Sequence, residues 1–109
     1  VYLITSLSDT QSLTTLQALA CELPAIGAAA GGLPEYIHHN QTGFIVPPTA
    51  RSTFAEKVLF LLTHAQTRQQ FGKAGRASIL PFSPAAITGR VEQVYTKVRY
   101  DYQSRHSRL

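Results

Sequence analysis

Ser6-Leu-Ser-Asp-Thr-Gln-Ser-Leu-Thr-Thr-Leu-Gln-Ala-Leu-Ala-Cys-Glu-Leu-Pro24 is flanked by two short apolar runs, Val1-Tyr-Leu-Ile-Thr5 before it and Ala25-Ile-Gly-Ala28 after it. Within it Leu13, Leu16, Ala20 and Leu23 recur at helical spacing, which predicts a helix over 13–21 with Ser12 as its N-cap. The first run does not alternate with polar residues and ends in Ser and Asp, the pattern of a strand buried on both faces. A strand, a helix and a second strand in this order predict a parallel βαβ connection.

Further along, Gly31-Gly32 predicts a tight turn into a short helical segment over 34–38. Asn40-Gln-Thr-Gly43 is turn chemistry, with Gly43 able to take positive φ. Gly43-Phe-Ile-Val46 reads as a third strand, closed by Pro47-Pro48. Thr49 is the expected cap of a helix over 50–62 with Phe54, Val58, Leu61 and Leu62 on its apolar face, and another helix is predicted over 66–79. Ser83-Pro84 is an N-cap followed by proline at the first helical position. Ile87, Val91, Val94 and Val98 then form a stripe along a C-terminal helix ending near Tyr102.

The predicted class is α/β: an incomplete doubly wound, Rossmann-like parallel sheet of three short strands, with flanking helices and a C-terminal helix. Residues 1–80 would form the sheet-bearing portion and 81–102 a helix packing on it, with 103–109 a frayed tail. Three parallel strands leave an edge with unpaired backbone groups, so neighbouring strands are expected before Val1. The chain has no methionine and opens on a strand, so it is expected to be a piece of something longer.

With 109 residues, 44% of them hydrophobic, the chain suffices for one core. No basic segment precedes the first apolar run, and no run is long enough to span a bilayer. Cys21, alone, has no intrachain disulfide partner, and its apolar neighbours predict a buried, inert thiol in a reducing cytoplasm. Residues 1–50 hold three carboxylates (Asp9, Glu22, Glu35) and no Lys or Arg; residues 51–109 hold ten basic side chains against three acidic ones. Solvated helix faces are the first explanation of that basic half, since its charges spread over three helices. A peripheral contact with an anionic membrane is the second, and a nucleic-acid interface rests on charge alone.

Ligands of open α/β sheets bind at the carboxyl ends of the strands, and Asp9 to Leu13 links a strand end to a helix start. The free N–H groups and positive dipole end there suit a diphosphate, so the backbone of residues 12–15 is a candidate cradle. A carboxylate ahead of the helix can accept hydrogen bonds from sugar hydroxyls, and Gln17, two turns in, can reach a ribose. A plain structural turn accounts for the same residues. His38 and His39 are adjacent and diverge on a helix, so surface positions are expected rather than metal ligands. Arg68, Lys73 and Arg76 read as the wet side of a helix. The sequence shows no Cys/His cluster, Walker loop or nucleophile elbow, and it marks no catalytic residue.

The set Ser6, Asp9, Ala18, Ala20, Pro24, Ile26, Gly31-Gly32, Glu35 and Thr42-Gly43 resembles the C-terminal half-domain of retaining GT-B glycosyltransferases, the glycosyl transferases group 1 family. The resemblance covers residues 1–80 closely and the final helix loosely. It implies a metal-independent, cofactor-free hexosyltransferase whose donor is a UDP- or GDP-linked sugar, with the acceptor held by an N-terminal domain missing from this chain. It further implies that Asp9, Thr10, Gln11, Ser12, Leu13, Thr14 and Gln17 contact the donor. Asp9 and Gln17 stand where the family has two glutamates, at the hexose hydroxyls and at the ribose. Asp9 is one methylene shorter, and Gln17 has lost the charge, weakening the ribose contact by about 1 kcal/mol. The family usually has glycine at the positions of Ser12 and Glu22 and proline at that of Thr5. A non-glycine held left-handed at Glu22 would cost about 1–2 kcal/mol, and its charge would sit at the negative end of the helix. Glu35 matches a family position near the donor cleft, and stabilising a helix dipole explains it equally.

The Thr10-Gln11 pair after the acid is similar to that of members which glycosylate diacylglycerol lipids, and a basic C-terminal surface suits anionic headgroups. The resemblance thus implies transfer of a hexose with retention by a cytoplasmic enzyme peripheral to the membrane. The isolated donor-binding half is expected to be inactive. The changes at Ser12, Gln17 and Glu22 keep an alternative open: a degenerate, non-catalytic α/β module, or a remnant of such an enzyme.

Overall fold

The computed structural model describes residues 1–106. It contains strand β1 (Tyr2–Ile4), helix α1 (Leu13–Ala20), strand β2 (Ala25–Ala28), the one-turn helix α2 (Leu33–Tyr36) and strand β3 (Gly43–Val46). Helices α3 (Arg51–Thr63) and α4 (Ala65–Ser78), a 3₁₀ turn (Leu80–Phe82) and helix α5 (Pro84–His106) follow. The strands form one parallel sheet in the order β1-β2-β3, with Leu3 opposite Ile26 and Ile26 opposite Phe44. The predicted α/β class and parallel connections are therefore what the chain adopts.

Every residue of β2 is buried. Successive side chains on a strand point to opposite faces, and Ala25 and Ile26 accordingly join different clusters. Ala25 packs with Leu19, Tyr36 and Ile37, and with Tyr2 and Ile4; Ile26 packs with Phe44, Val46 and Leu61, and with Phe54, Val58 and Phe71. Helices therefore cover both faces. Phe44 is the hub of the second cluster, edge-on to Phe60 and Phe71, with the Lys57 ammonium 4.5 Å from its ring centre.

The expected burial of β1 on both faces is not found. Tyr2 and Ile4 are half-buried against the first cluster, but Leu3, on the other face of this edge strand, is 48% exposed. The buried face of α1 is Thr15, Ala18 and Leu19, whereas Leu13 and Leu23 of the predicted stripe are exposed. Threonine can occupy the core because its N–H and hydroxyl both bond the Ser12 hydroxyl, at 3.3 and 2.7 Å. Cys21, expected to be buried, is exposed: it is the C-cap of α1, beyond the last buried turn. Leu61 is buried on α3 as predicted, but Leu62 is exposed.

In the turn before β3, Asn40 takes the positive φ, +61°, and Gly43 does not. Gly43 is required by proximity instead, because a Cβ there would lie 1.7 Å from the Ala25 carbonyl oxygen. The same turn closes the outer edge of β3: Asn40 N–H donates to Gly43 O at 2.9 Å, and Ile45 N–H donates to Nδ1 of His39 at 3.0 Å. His39 is thus a backbone acceptor, and Asn40 supplies the left-handed residue that turns have from Asn or Gly. The cap of α3 is Ala50 rather than Thr49, with no side-chain bond.

The backbone divides into two units, residues 1–79 and residues from Leu80 onward. In the second, the Ser83 hydroxyl accepts the Ala86 N–H at 3.3 Å as the predicted N-cap, and Arg90 donates to the Pro81 carbonyl. Helix α5 runs on to His106, so residues 103–106 are helical rather than frayed, and residues 107–109 of the expected tail lie outside the described residues. The stripe Ile87, Val91, Val94 and Val98 is exposed along its length. Among the described residues no helix is long and apolar enough to cross a membrane.

Candidate functional site

The candidate site grows from two loops at the carboxyl ends of β1 and β2. After β1 the chain runs through Asp9 and Thr10 to the Ser12 cap; after β2 it turns at Gly31-Gly32 into α2. Gly32 N–H donates to the Asp9 carbonyl at 2.7 Å. A Cβ on Gly31, whose φ is +55°, would lie 2.3 Å from Asp9 O, and one on Gly32 would lie 2.2 Å from Thr10 O. Neither position admits a side chain, since the obstacle in each case is backbone. The two glycines thus let one loop lock against the other, which fixes the path of Asp9 just ahead of α1.

Helix α1 begins as predicted, with the Ser12 hydroxyl accepting from Thr15 N–H. Ser12 is only 4% exposed, so its side chain turns inward instead of standing over the helix end. The N–H groups of Leu13 and Thr14, ahead of Thr15, have no carbonyl of their own helix to bond, and they carry the positive end of its dipole. Asp9 is half-buried, while Thr10, Gln11, Leu13, Thr14 and Gln17 are exposed. Leu13 and Gln17, four residues apart, share the outward face of α1.

One participant escaped the sequence reading. The Tyr2 hydroxyl lies 2.8 Å from Thr14 Oγ1, which lies 3.4 Å from Ser12 Oγ. A line of hydroxyls therefore joins β1 to the first turn of α1. Tyr2 sits in an apolar run, where nothing distinguishes a phenol that bonds from one that only packs.

Other residues singled out in the sequence belong to the scaffold. His38 N–H donates to Thr42 Oγ1 at 2.9 Å and His39 accepts from Ile45, so both act in the turn before β3. Glu35 lies in the first turn of α2 and is exposed. Arg68 is not simply wet: its guanidinium donates to the carbonyls of Leu61 and Leu62 at the end of α3. Among the described residues no three His, Cys, Asp or Glu side chains gather as a metal site. A cavity of about 430 Å³, lined by Val1, Glu22, Pro24, Arg68 and Lys73, lies at the amino ends of β1 and β2, the end opposite Asp9.

The sequence profile of the family described as Glycosyl transferases group 1 matches residues 1–78. The chain is 30% identical over 100 residues to N-acetyl-alpha-D-glucosaminyl L-malate synthase of Bacillus anthracis, covering 91% of this chain and 26% of the synthase. It is 33% identical over 94 residues to a sulfoquinovosyl transferase of Arabidopsis thaliana, covering 84% of this chain and 18% of that protein. Among solved structures, sucrose-phosphate synthase of Thermosynechococcus elongatus superposes with a TM-score of 0.84 at 27% identity, over 91% of this chain and 25% of the synthase. The Anabaena protein HepE, solved in complex with UDP-glucose, shares the fold with a TM-score of 0.76 at 19% identity, over 85% of this chain and 26% of its own. The chain thus spans about a quarter or less of the length of these relatives. With a parallel sheet, the interlocked loops at its carboxyl end and this match over residues 1–78, the chain belongs to the glycosyl transferases group 1 family.

Proposed function

We propose that this chain is the donor-binding portion of a retaining hexosyltransferase, holding a UDP- or GDP-linked sugar without a metal or cofactor. The observation that carries the reading is the locking of the Asp9 loop onto Gly31-Gly32 in front of the capped end of α1. It sets a carboxylate beside a helix N-terminus at the end of the sheet where α/β folds bind ligands. The diphosphate would lie against the N–H groups of Leu13 and Thr14, with Thr10, Gln11 and Ser12 shaping the approach. Asp9 would accept hydrogen bonds from hexose hydroxyls, and the Gln17 amide oxygen from a ribose hydroxyl. As the bond from the sugar to the diphosphate breaks, negative charge grows on the leaving phosphate. Residues 1–50 contain no Lys or Arg, so this part of the chain answers that charge with backbone N–H groups and the helix dipole.

The acceptor would be held by a separate N-terminal domain, so the polypeptide alone would not turn over. Thr10-Gln11 favours a diacylglycerol lipid as acceptor, with the basic residues after Ala50 meeting anionic headgroups of the cytoplasmic membrane face. UDP-glucose is the natural first probe, because a structural neighbour was solved with it. Calorimetric titration of UDP-glucose should show binding that Asp9→Ala weakens at least tenfold. No heat at millimolar ligand would favour the second reading, a non-catalytic module or remnant. That reading draws on Gln17, uncharged and exposed, and on Glu22, which holds φ at +59°.

A further inference from the structure

The ring of His39 lies outside the donor site and makes a hydrogen bond of fixed direction. Ile45 N–H can only donate, so Nδ1 of His39, at 3.0 Å, presents its lone pair and the ring proton sits on Nε2. Neutral imidazole meets that demand. Imidazolium does not, because protonation places a second N–H on Nδ1, donor against donor. We propose that His39 is a pH-operated latch: neutral, it ties the turn 38–42 to β3, and protonated, it releases Ile45 and swings clear.

The release is local. Ala25 N–H donates to Thr42 O and Ala29 N–H to Val46 O, and backbone groups alternate sides along a strand, so Ile45 N–H points away from β2. The pairing of β3 with β2 therefore does not depend on His39. The residue is exposed, so a proton reaches the ring and water accepts the freed N–H at small cost. The ring meets Phe44 edge-on, with centres 5.8 Å apart. Around the same Phe44 stand Lys57 of α3, 4.5 Å from its centre, Phe60 of α3, which stacks with His64, and Phe71 of α4. On its own segment His39 follows His38, and Glu35 of α2 is the nearest carboxylate along the chain. Among the described residues no carboxylate pairs with His39. Nothing of opposite charge thus holds the imidazolium where the neutral ring sat, and the charge that shares the Phe44 ring with it, that of Lys57, has the same sign.

The test is amide exchange by NMR on the ¹⁵N-labelled full chain, each rate divided by that of an unstructured peptide at the same pH. From about pH 7.5 to about pH 5, the range over which imidazoles titrate, Ile45 should lose protection by at least about fivefold. Ala29, whose N–H crosses to Val46 O, should keep its protection. A fall at Ala29 matching that at Ile45 would mean general loosening and overturn the latch. His39→Asn should protect Ile45 equally at both pH values, because asparagine Oδ1 takes the place of Nδ1 on Cγ and gains no proton. His39→Leu should leave Ile45 unprotected at both. Unchanged protection of Ile45 in the unaltered chain overturns the proposal, as does an equal loss in His39→Asn. Should His39→Leu fail to fold, long-range ¹H–¹⁵N spectra of the unaltered ring decide. A bare Nδ1 at neutral pH supports the latch, and a proton on Nδ1 overturns it.

Discussion

The two ends of α1 make opposite use of the same eight-residue helix. At its start Ser12, where the resemblance implies glycine, folds its side chain inward to cap Thr15. At its finish Glu22 takes φ +59°, the left-handed conformation that glycine commonly supplies after a helix, and its carboxylate lies at the negative end of the dipole. The backbone nevertheless closes the helix in the pattern glycine normally serves: Glu22 N–H donates to Leu19 O and Leu23 N–H to Ala18 O, both at 3.0 Å. Among the described residues its carboxylate meets the Arg76 guanidinium at 3.5 Å, and with the Arg76 and Glu22 side chains 63% and 44% exposed the pair is worth about 0.3 kcal/mol. A substitution is therefore absorbed where the new side chain finds donors to satisfy, and leaves strain where it does not.

Three substitutions probe that contrast. The largest effect should come from Gly72→Ala on α4, where a Cβ would meet the Glu22 carbonyl oxygen at 2.1 Å. Backbone opposes it, so urea unfolding should show a loss of about 3 kcal/mol; a loss below about 1 kcal/mol would mean that the end of α1 is free to yield. Ser12→Ala should follow at about 2 kcal/mol, since it removes the cap and strips the buried Thr15 hydroxyl of a partner. An unchanged unfolding midpoint would deny that the start of α1 has absorbed its substitution. Glu22→Gly should raise stability by about 1 kcal/mol as the left-handed strain is relieved. Destabilisation there would show that the ion pair outweighs the strain.

The contrast also explains what was legible beforehand. β2 and β3 could be bounded because each is an apolar run stopped by turn residues, and the Ser12 cap because serine ahead of a periodic stretch has one dominant use. The phase of α1 was hidden, because Thr15 enters the core only once Ser12 has satisfied its hydroxyl. Gly43 pointed to a turn but answers to Ala25 on the neighbouring strand, a contact no local pattern encodes. At the candidate site, Asp9 and the start of α1 were visible from their order along the chain. The lock between Asp9 and Gly32 and the bond from Tyr2 to Thr14 join residues 23 and 12 positions apart, and spacing carries no sign of either.

The ring of His39 has a consequence for growth of the sheet. By taking the Ile45 N–H, while Asn40 N–H takes the Gly43 carbonyl, it occupies bonding groups along the outer rim of β3 that an incoming strand would need. β1, among the described residues, pairs only with β2. Strand addition is thereby biased to one side: a further strand is favoured beside Leu3, where its register is read from the rim of β1. One imidazole acts as an end-stop, so that a sheet extended by other chain can lengthen without templating stray strands at its far side.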